Sequence, residues 1–132
     1  MKLNLFKNTP APAVCAKDVK QISRVFQTYH WNNMDINLVV VSDPEIKQIN
    51  QQYRQKNEVT DVLSFRLDDK NAEIYIAYAH ARKQARQRSI SIKQEIQRLT
   101  FHGLLHIIGY DHIKKNQARK MQQLEDKLLM KI

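Results

Sequence analysis

A chain of 132 residues, 42% hydrophobic and 27% charged, has the size and composition of one ordinary globular domain, expected here to span residues 1–132. No apolar run approaches the roughly 18 residues of a membrane-spanning helix, and a single cysteine excludes an internal disulfide. The formal net charge of +9 points to polyanionic partners, whether nucleic acid, ribosome or acidic membrane, without choosing among them.

Taken in chain order, the N-terminal MKLNLFKNTPAPAVC has an apolar core of only Leu3 to Phe6 before Lys7 interrupts it. A signal peptide needs about 7 such residues, so the segment reads as mature protein. Lys2 to Phe6 alternates weakly, as an edge strand does. Cys15, in AVCAKDV at the start of a helical pattern, reads as a small apolar filler rather than a nucleophile, and a lone cysteine fits a reducing compartment. Lys17 to Tyr29 carries Val19, Ile22, Val25, Phe26 and Tyr29 at helical spacing. INLVVV, Ile36 to Val41, reads as a buried strand. Ser42 to Glu45 (SDPE) is a capping-box pattern with proline in the first turn, predicting a short helix to about Tyr53.

Arg54 to Thr60 reads as a loop, followed by strands over Asp61 to Phe65 and Glu73 to Tyr78 joined by the turn-like LDDKNA. Arg82 to Arg88 is a basic helical stretch. Ser91, with Gln94 three residues on, caps a long helix through Ile108 that stops at Gly109, since glycine adopts the left-handed conformation cheaply. Gln117 to Ile132 is a final amphipathic helix with Met121, Leu124, Leu128 and Met130 on or near one face. Three or four strands mixed with four or five helices make an α/β or α+β domain.

The segment TFHGLLHIIGYDH concentrates the chemistry. It holds three of the five histidines and both glycines of the chain. His102 and His106, four apart on a helix, direct two imidazoles at one point. The break at Gly109 lets the chain turn back and carry His112 into the same space. Three imidazoles with an open fourth position describe a catalytic rather than a structural zinc site. Imidazole also suits nickel, copper and iron, so Zn2+ is the default and another divalent metal an alternative. Asp111 either hydrogen-bonds a ligand imidazole or caps the final helix. His30 and His80 read as surface or packing residues.

The spacing is that of metzincin proteases, HExxHxxGxxH, but Gly103 stands where those enzymes keep the glutamate that serves as general base. Losing such a base costs about 10²–10⁴ in rate. Zinc can still lower the pKa of water to roughly 7, and arginine can stabilise charge on a phosphodiester. A basic chain with this site suggests a nuclease more than a protease.

HGLLHIIGYDH resembles the signature of the YbeY family, bacterial metal-dependent endoribonucleases linked to ribosomal RNA maturation. YRQKNEVTDVLSF, Tyr53 to Phe65, and AEIYIAYAHARKQA resemble two further blocks of that family, in the expected order. The resemblance implies an α+β fold, with a small mixed β-sheet packed against helices and zinc at one end. It implies His102, His106 and His112 as metal ligands and Arg54 as a cleft arginine gripping RNA phosphate. Asp61 and Ser64, with Thr60, match the family block, either orienting substrate or water or capping a strand edge. It further implies action on single-stranded RNA, in maturation of the 16S rRNA 3′ end and in ribosome assembly, with the ribosome as partner. Neither a membrane nor a nucleotide cofactor is implied, and the location expected is cytoplasmic. Arg82, Lys83, Arg86 and Arg88 are further candidate RNA contacts, or simply a solvated helix face. Few aromatics accompany them, so no stacking platform is evident. Two positions depart from the family pattern: Ala72 where glycine is usual, and Arg66 where proline often follows the TDVLSF run. Three rivals stand beside this reading: a metzincin-like metalloprotease, a non-enzymatic ribosome-associated assembly factor with a structural metal, and a metal-binding structural module with no RNA role, which the basic charge makes less attractive.

Overall fold

Strand–helix alternation gives way to a β-hairpin and then to three successive helices in the computed structural model, which describes residues 1–110 and 114–132. The order is β1 (Lys2–Lys7), α1 (Ala16–Tyr29), β2 (Asp35–Val41), α2 (Asp43–Arg54), β3 (Val62–Arg66), β4 (Asn71–Ala77), α3 (Tyr78–Arg88), α4 (Ile92–Ile107) and α5 (Lys115–Met130). The four strands form one sheet in the order β1-β2-β4-β3. β1, β2 and β4 run parallel, while β3 lies antiparallel to β4 as a hairpin, pairing Val62 with Ile76 and Ser64 with Ile74. This is the small mixed sheet of an α+β fold. β1 takes the edge position that its weak alternation predicts. No helix among the described residues is long and apolar enough to cross a membrane.

Alternation along the two central strands gives the sheet two apolar faces. Ile36, Leu38 and Val40 of β2 join Ala72, Ile74 and Ile76 of β4 in the main core, shared with Val19, Ile22 and Phe26 of α1 and with Leu99, Leu104 and Leu105 of α4. On the opposite face Val39, Val41, Leu63 and Ala77 meet Ile46 of α2. The β-branched run at 36–41 is thus buried on both sides, which is why it reads as nearly continuous rather than alternating.

Local signals place the ends of the helices. Ser42 Oγ accepts from the Glu45 amide, with Pro44 in the first turn of α2. Ser91 and Gln94 form a reciprocal capping box on α4. At the other end of α4 the Gly109 amide donates to His106 O and the Tyr110 amide to Leu105 O, the two bonds of a Schellman turn. Gly109 has φ +112, a value that disfavours any side chain. Arg66 donates through its guanidinium to Ile107 O and Asp68 O, so this side chain ties the β3–β4 turn to the last turn of α4.

Four sequence expectations change. Arg54 belongs to the last turn of α2, not to the following loop, because Gln55 takes the left-handed conformation (φ 57) and closes the helix there. Tyr78 opens α3 instead of ending β4, so that helix starts four residues ahead of its basic stretch. Cys15 is not a buried filler. It is exposed at the N-terminal end of α1, its thiol donating to Asp18 Oδ2 at 3.0 Å. Met130 leaves the apolar face of α5 and is 86% exposed, while Met121 and Leu128 are buried.

Gly103 explains its own lack of a side chain. A Cβ there would lie 3.0 Å from Ile74 Cγ2 and 3.1 Å from Ile74 Cδ1, against a side chain that is itself fully buried. The glycine lets α4 lie directly on β4, and its direction faces the sheet rather than the open face of the helix. Gly103→Ala is expected to lower stability by about 1–3 kcal/mol through overpacking, outweighing the roughly 1 kcal/mol gained in helix propensity. Urea unfolding measures the sign.

Candidate active site

One face of α4 turns away from the sheet, towards α5 and the loop before β3, and borders a cavity of about 890 Å³. His102 and His106 project from consecutive turns of α4, with ring centroids 4.7 Å apart and planes inclined at 77°. Their Nε2 atoms are 3.2 Å apart. The Schellman turn begins at the carbonyl of His106, so the helix ends immediately after it has presented both rings. His112 and Asp111 lie outside the described residues. Among the described residues no group of three or more His, Cys, Asp or Glu side chains converges as a cation site.

The other nitrogen of His102, Nδ1, is bonded to Glu125 Oε1 of α5. A carboxylate there favours the tautomer with the proton on Nδ1, which leaves Nε2 of His102 as the acceptor in its 3.2 Å contact with His106 Nε2. Glu125 is only 2% exposed. Its second oxygen lies 3.9 Å from the guanidinium of Arg98, which in turn makes two 2.8 Å hydrogen bonds to Glu95. Glu95 is completely buried, and Arg88 approaches it from the surface at 3.9 Å. Hydrogen bonding to Glu95 raises the pKa of Arg98 above its already high ordinary value, against the opposing effect of burial. Charge therefore alternates along Arg88, Glu95, Arg98 and Glu125 up to the imidazole.

Sequence reasoning offered only Asp111 as a partner behind a ligand imidazole, and it missed Glu125, Glu95 and Arg98. One signal was available: Glu125 sits between Met121 and Leu128 on the buried stripe of α5, where a carboxylate needs a partner. Asp61 and Ser64 do line the cavity. Asp61 also has structural work, its Oδ1 accepting from the Val62 amide at 2.8 Å and its Oδ2 from Gln84 Nε2 at 3.2 Å. Asp61 therefore caps the start of β3 and borders the cavity as well.

Arg54 lies across the same cavity, at the end of α2, with its guanidinium carbon 5.5 Å from the centroid of Phe65. Lys56 joins it on that wall. The loop carrying Lys56 is held by the buried Asn50, whose Nδ2 donates to Glu58 O and whose carbonyl accepts from the Lys56 amide. Arg82, Lys83, Arg86 and Arg88 are exposed on α3, whose buried face is Tyr78, Ala81 and Ala85. None of these four lines the histidine cavity. The structure thus brings together His102, His106, Arg54, Asp61 and Ser64 and leaves the basic face of α3 apart. His30 is exposed and His80 half-buried, both away from that cavity.

The family profile described as Endoribonuclease YbeY matches residues 7–132. A protein named Endoribonuclease YbeY from Finegoldia magna is 38% identical over 124 residues, covering 87% of this chain and 81% of its own length. One of the same name from Persephonella marina is 33% identical over 130 residues, covering 91% and 85%. The solution structure of a Thermotoga maritima protein superposes with a TM-score of 0.74 at 25% identity, covering 98% of this chain and 87% of that one.

Arg98→Ala would leave Glu95 and Glu125 buried without their shared cation. A loss of about 3–5 kcal/mol in unfolding free energy is expected, as for other broken buried pairs. The check is chemical denaturation of the variant beside Arg88→Ala, an exposed partner whose removal should cost under about 1 kcal/mol.

Proposed function

The chain belongs to the YbeY family of endoribonucleases, and we propose that it cleaves single-stranded RNA in the cavity between α2, β3, α4 and α5. Membership makes it a hydrolytic enzyme acting on RNA in ribosomal RNA maturation. The finer reading follows the resemblance: one domain over residues 1–132, acting in the cytoplasm on the 3′ end of 16S rRNA, with the ribosome as partner.

The observation that carries the reading is the pair of Nε2 atoms 3.2 Å apart, one of them held by a buried carboxylate behind its ring. Two nitrogen ligands on one tetrahedral zinc, each at about 2.0–2.1 Å, stand about 3.3 Å from one another. His102 and His106 therefore fit a shared divalent cation as they stand. His112 is proposed as the third ligand, and zinc as the metal, with nickel or another divalent ion as the alternative. A cation held there supplies Lewis acidity towards water and the phosphoryl oxygens.

The chain's own residues account for the rest of the mechanism. Glu125 holds the proton of His102 at Nδ1 and fixes the ring. Arg54 neutralises the phosphate from the opposite wall, its guanidinium steadied against Phe65 and able to present two parallel N–H donors. Lys56 adds a second cation on the same wall. Asp61 and Ser64 border the space between, where they can orient substrate or water. The exposed α3 cations Arg82, Lys83, Arg86 and Arg88 are proposed as contacts to RNA lying beyond the cavity.

Geometry also weighs against the peptidase alternative. The position where a metzincin carries its general base is Gly103, which abuts Ile74 of the sheet. A structural metal without catalysis remains the contrary outcome of the experiment. Metal analysis and single-stranded RNA cleavage are to be run together on the wild type and on His106→Ala, with casein as a parallel substrate. Wild type is expected to hold one metal per chain, cleave RNA and spare casein, and His106→Ala to lose both metal and cleavage. Full cleavage by a metal-free variant would end the mechanism. Arg54→Ala should keep its metal and lose about 10²–10³ in kcat/KM, the scale for removing one charge-stabilising donor. RNA affinity should fall steeply between about 50 and 200 mM salt as phosphate contacts release counterions.

A further inference from the structure

A second concavity adjoins the first. Gly109 and Tyr110 line the histidine cavity, and the same two residues line a hollow of about 330 Å³ together with Tyr29, His30 and Lys120. The hollow draws on three separate elements. Tyr29 and His30 come from the end of α1, Tyr110 from the turn after α4, and Lys120 from α5. The Tyr29 and Tyr110 hydroxyls are hydrogen-bonded at 2.7 Å, which fixes the two rings relative to one another. The His30 ring stands 6.4 Å from Tyr29 at an angle of 42°, and Lys120 Nζ lies 5.7 Å from the centroid of Tyr110. Three aromatic rings and a cation thus surround one small space, and no carboxylate is among its described lining residues. Folding unites rings separated by about eighty positions in sequence, which is why the sequence displays no stacking platform.

We infer that this hollow is a nucleotide subsite, taking one unpaired base of an RNA whose scissile phosphate lies in the histidine cavity. The base would lie against the Tyr29 and Tyr110 rings, with its phosphate on the Lys120 ammonium. The inference rests on the nuclease reading above and adds a binding residue set to it. Its chemistry is that of single-strand recognition, in which aromatic rings supply stacking and a cation follows the backbone. It also gives a physical origin for strand preference, since splayed, unpaired bases offer the faces that a duplex keeps stacked. Gly109 and Tyr110 line both spaces, so a strand lying across them would touch the two.

The test uses seven-nucleotide single-stranded RNAs, each lacking the base at a different position, with wild type, Lys120→Ala and Tyr110→Leu. Affinity is read by fluorescence anisotropy without added metal, and cleavage is read after zinc is supplied. Removing the base at one position, at a fixed offset from the cleaved bond, should weaken binding to wild type by about 5- to 100-fold, the value of one base stacked on an aromatic ring. That position dependence should vanish in Tyr110→Leu and shrink in Lys120→Ala, whose exposed side chain can be removed without disturbing the core. Equal binding of all the abasic RNAs by wild type overturns the subsite, as does the same position dependence persisting in both variants. Position-dependent binding without any cleavage would retire the nuclease reading while supporting the subsite, so the two fail separately.

Discussion

His102 is held from behind by Glu125, and the other features of the site are arranged around that contact. The carboxylate arrives from α5, the imidazole from α4, and neither helix alone can set the ring. Burying Glu125 would be costly without Arg98, and Arg98 is in turn anchored by Glu95. Such a chain of buried charges adds little net stability, because well-packed apolar side chains of similar volume commonly do as well or better. What it supplies is direction. An apolar core residue behind His102 would fill the space but leave the ring free to rotate and to exchange tautomers, and a ring that rotates cannot present a defined lone pair.

The same division of labour appears on the facing wall. The end of α2 is set by Gln55 in a left-handed conformation, the loop beyond it by Asn50, and the start of β3 by Asp61. Polar side chains thus hold backbone in place on both sides, while the two apolar faces of the sheet give the rigid middle. Arg54 projects from the last turn of a helix, a better-defined platform than the loop its sequence neighbours suggest. Arg66 extends this bracing by joining the hairpin turn to the end of α4.

Much of this was legible from residue order because its causes are local. The apolar period of α1, the β-branched run of β2, the capping box of α4 and the glycine stop at 109 all act within a few residues, and each element formed where those signals placed it. Errors arose where the deciding partner is distant in sequence. Cys15 is small and apolar in character, yet its exposure depends on how α1 meets its neighbours. Met130 fits the stripe of α5 by spacing, but the core ends before it. Glu125 pairs with a residue 23 positions earlier, and its role follows only from the crossing of α4 and α5. The histidine motif supplied the three proposed ligands and the family resemblance the proposed cleft arginine, but neither supplied the charges that hold His102 in place.

Close contact between Gly103 and Ile74 also limits which chemistry this histidine spacing can support. A single codon change that restores glutamate at 103 would not yield a peptidase here, because the new carboxylate would be driven into an apolar sheet instead of towards a substrate. Passage between the two chemistries would require the strand beneath to retreat first, a change spread over many positions. The spacing of the imidazoles alone therefore does not fix the chemistry, since the packing around the residue after the first histidine decides whether a carboxylate fits beside them.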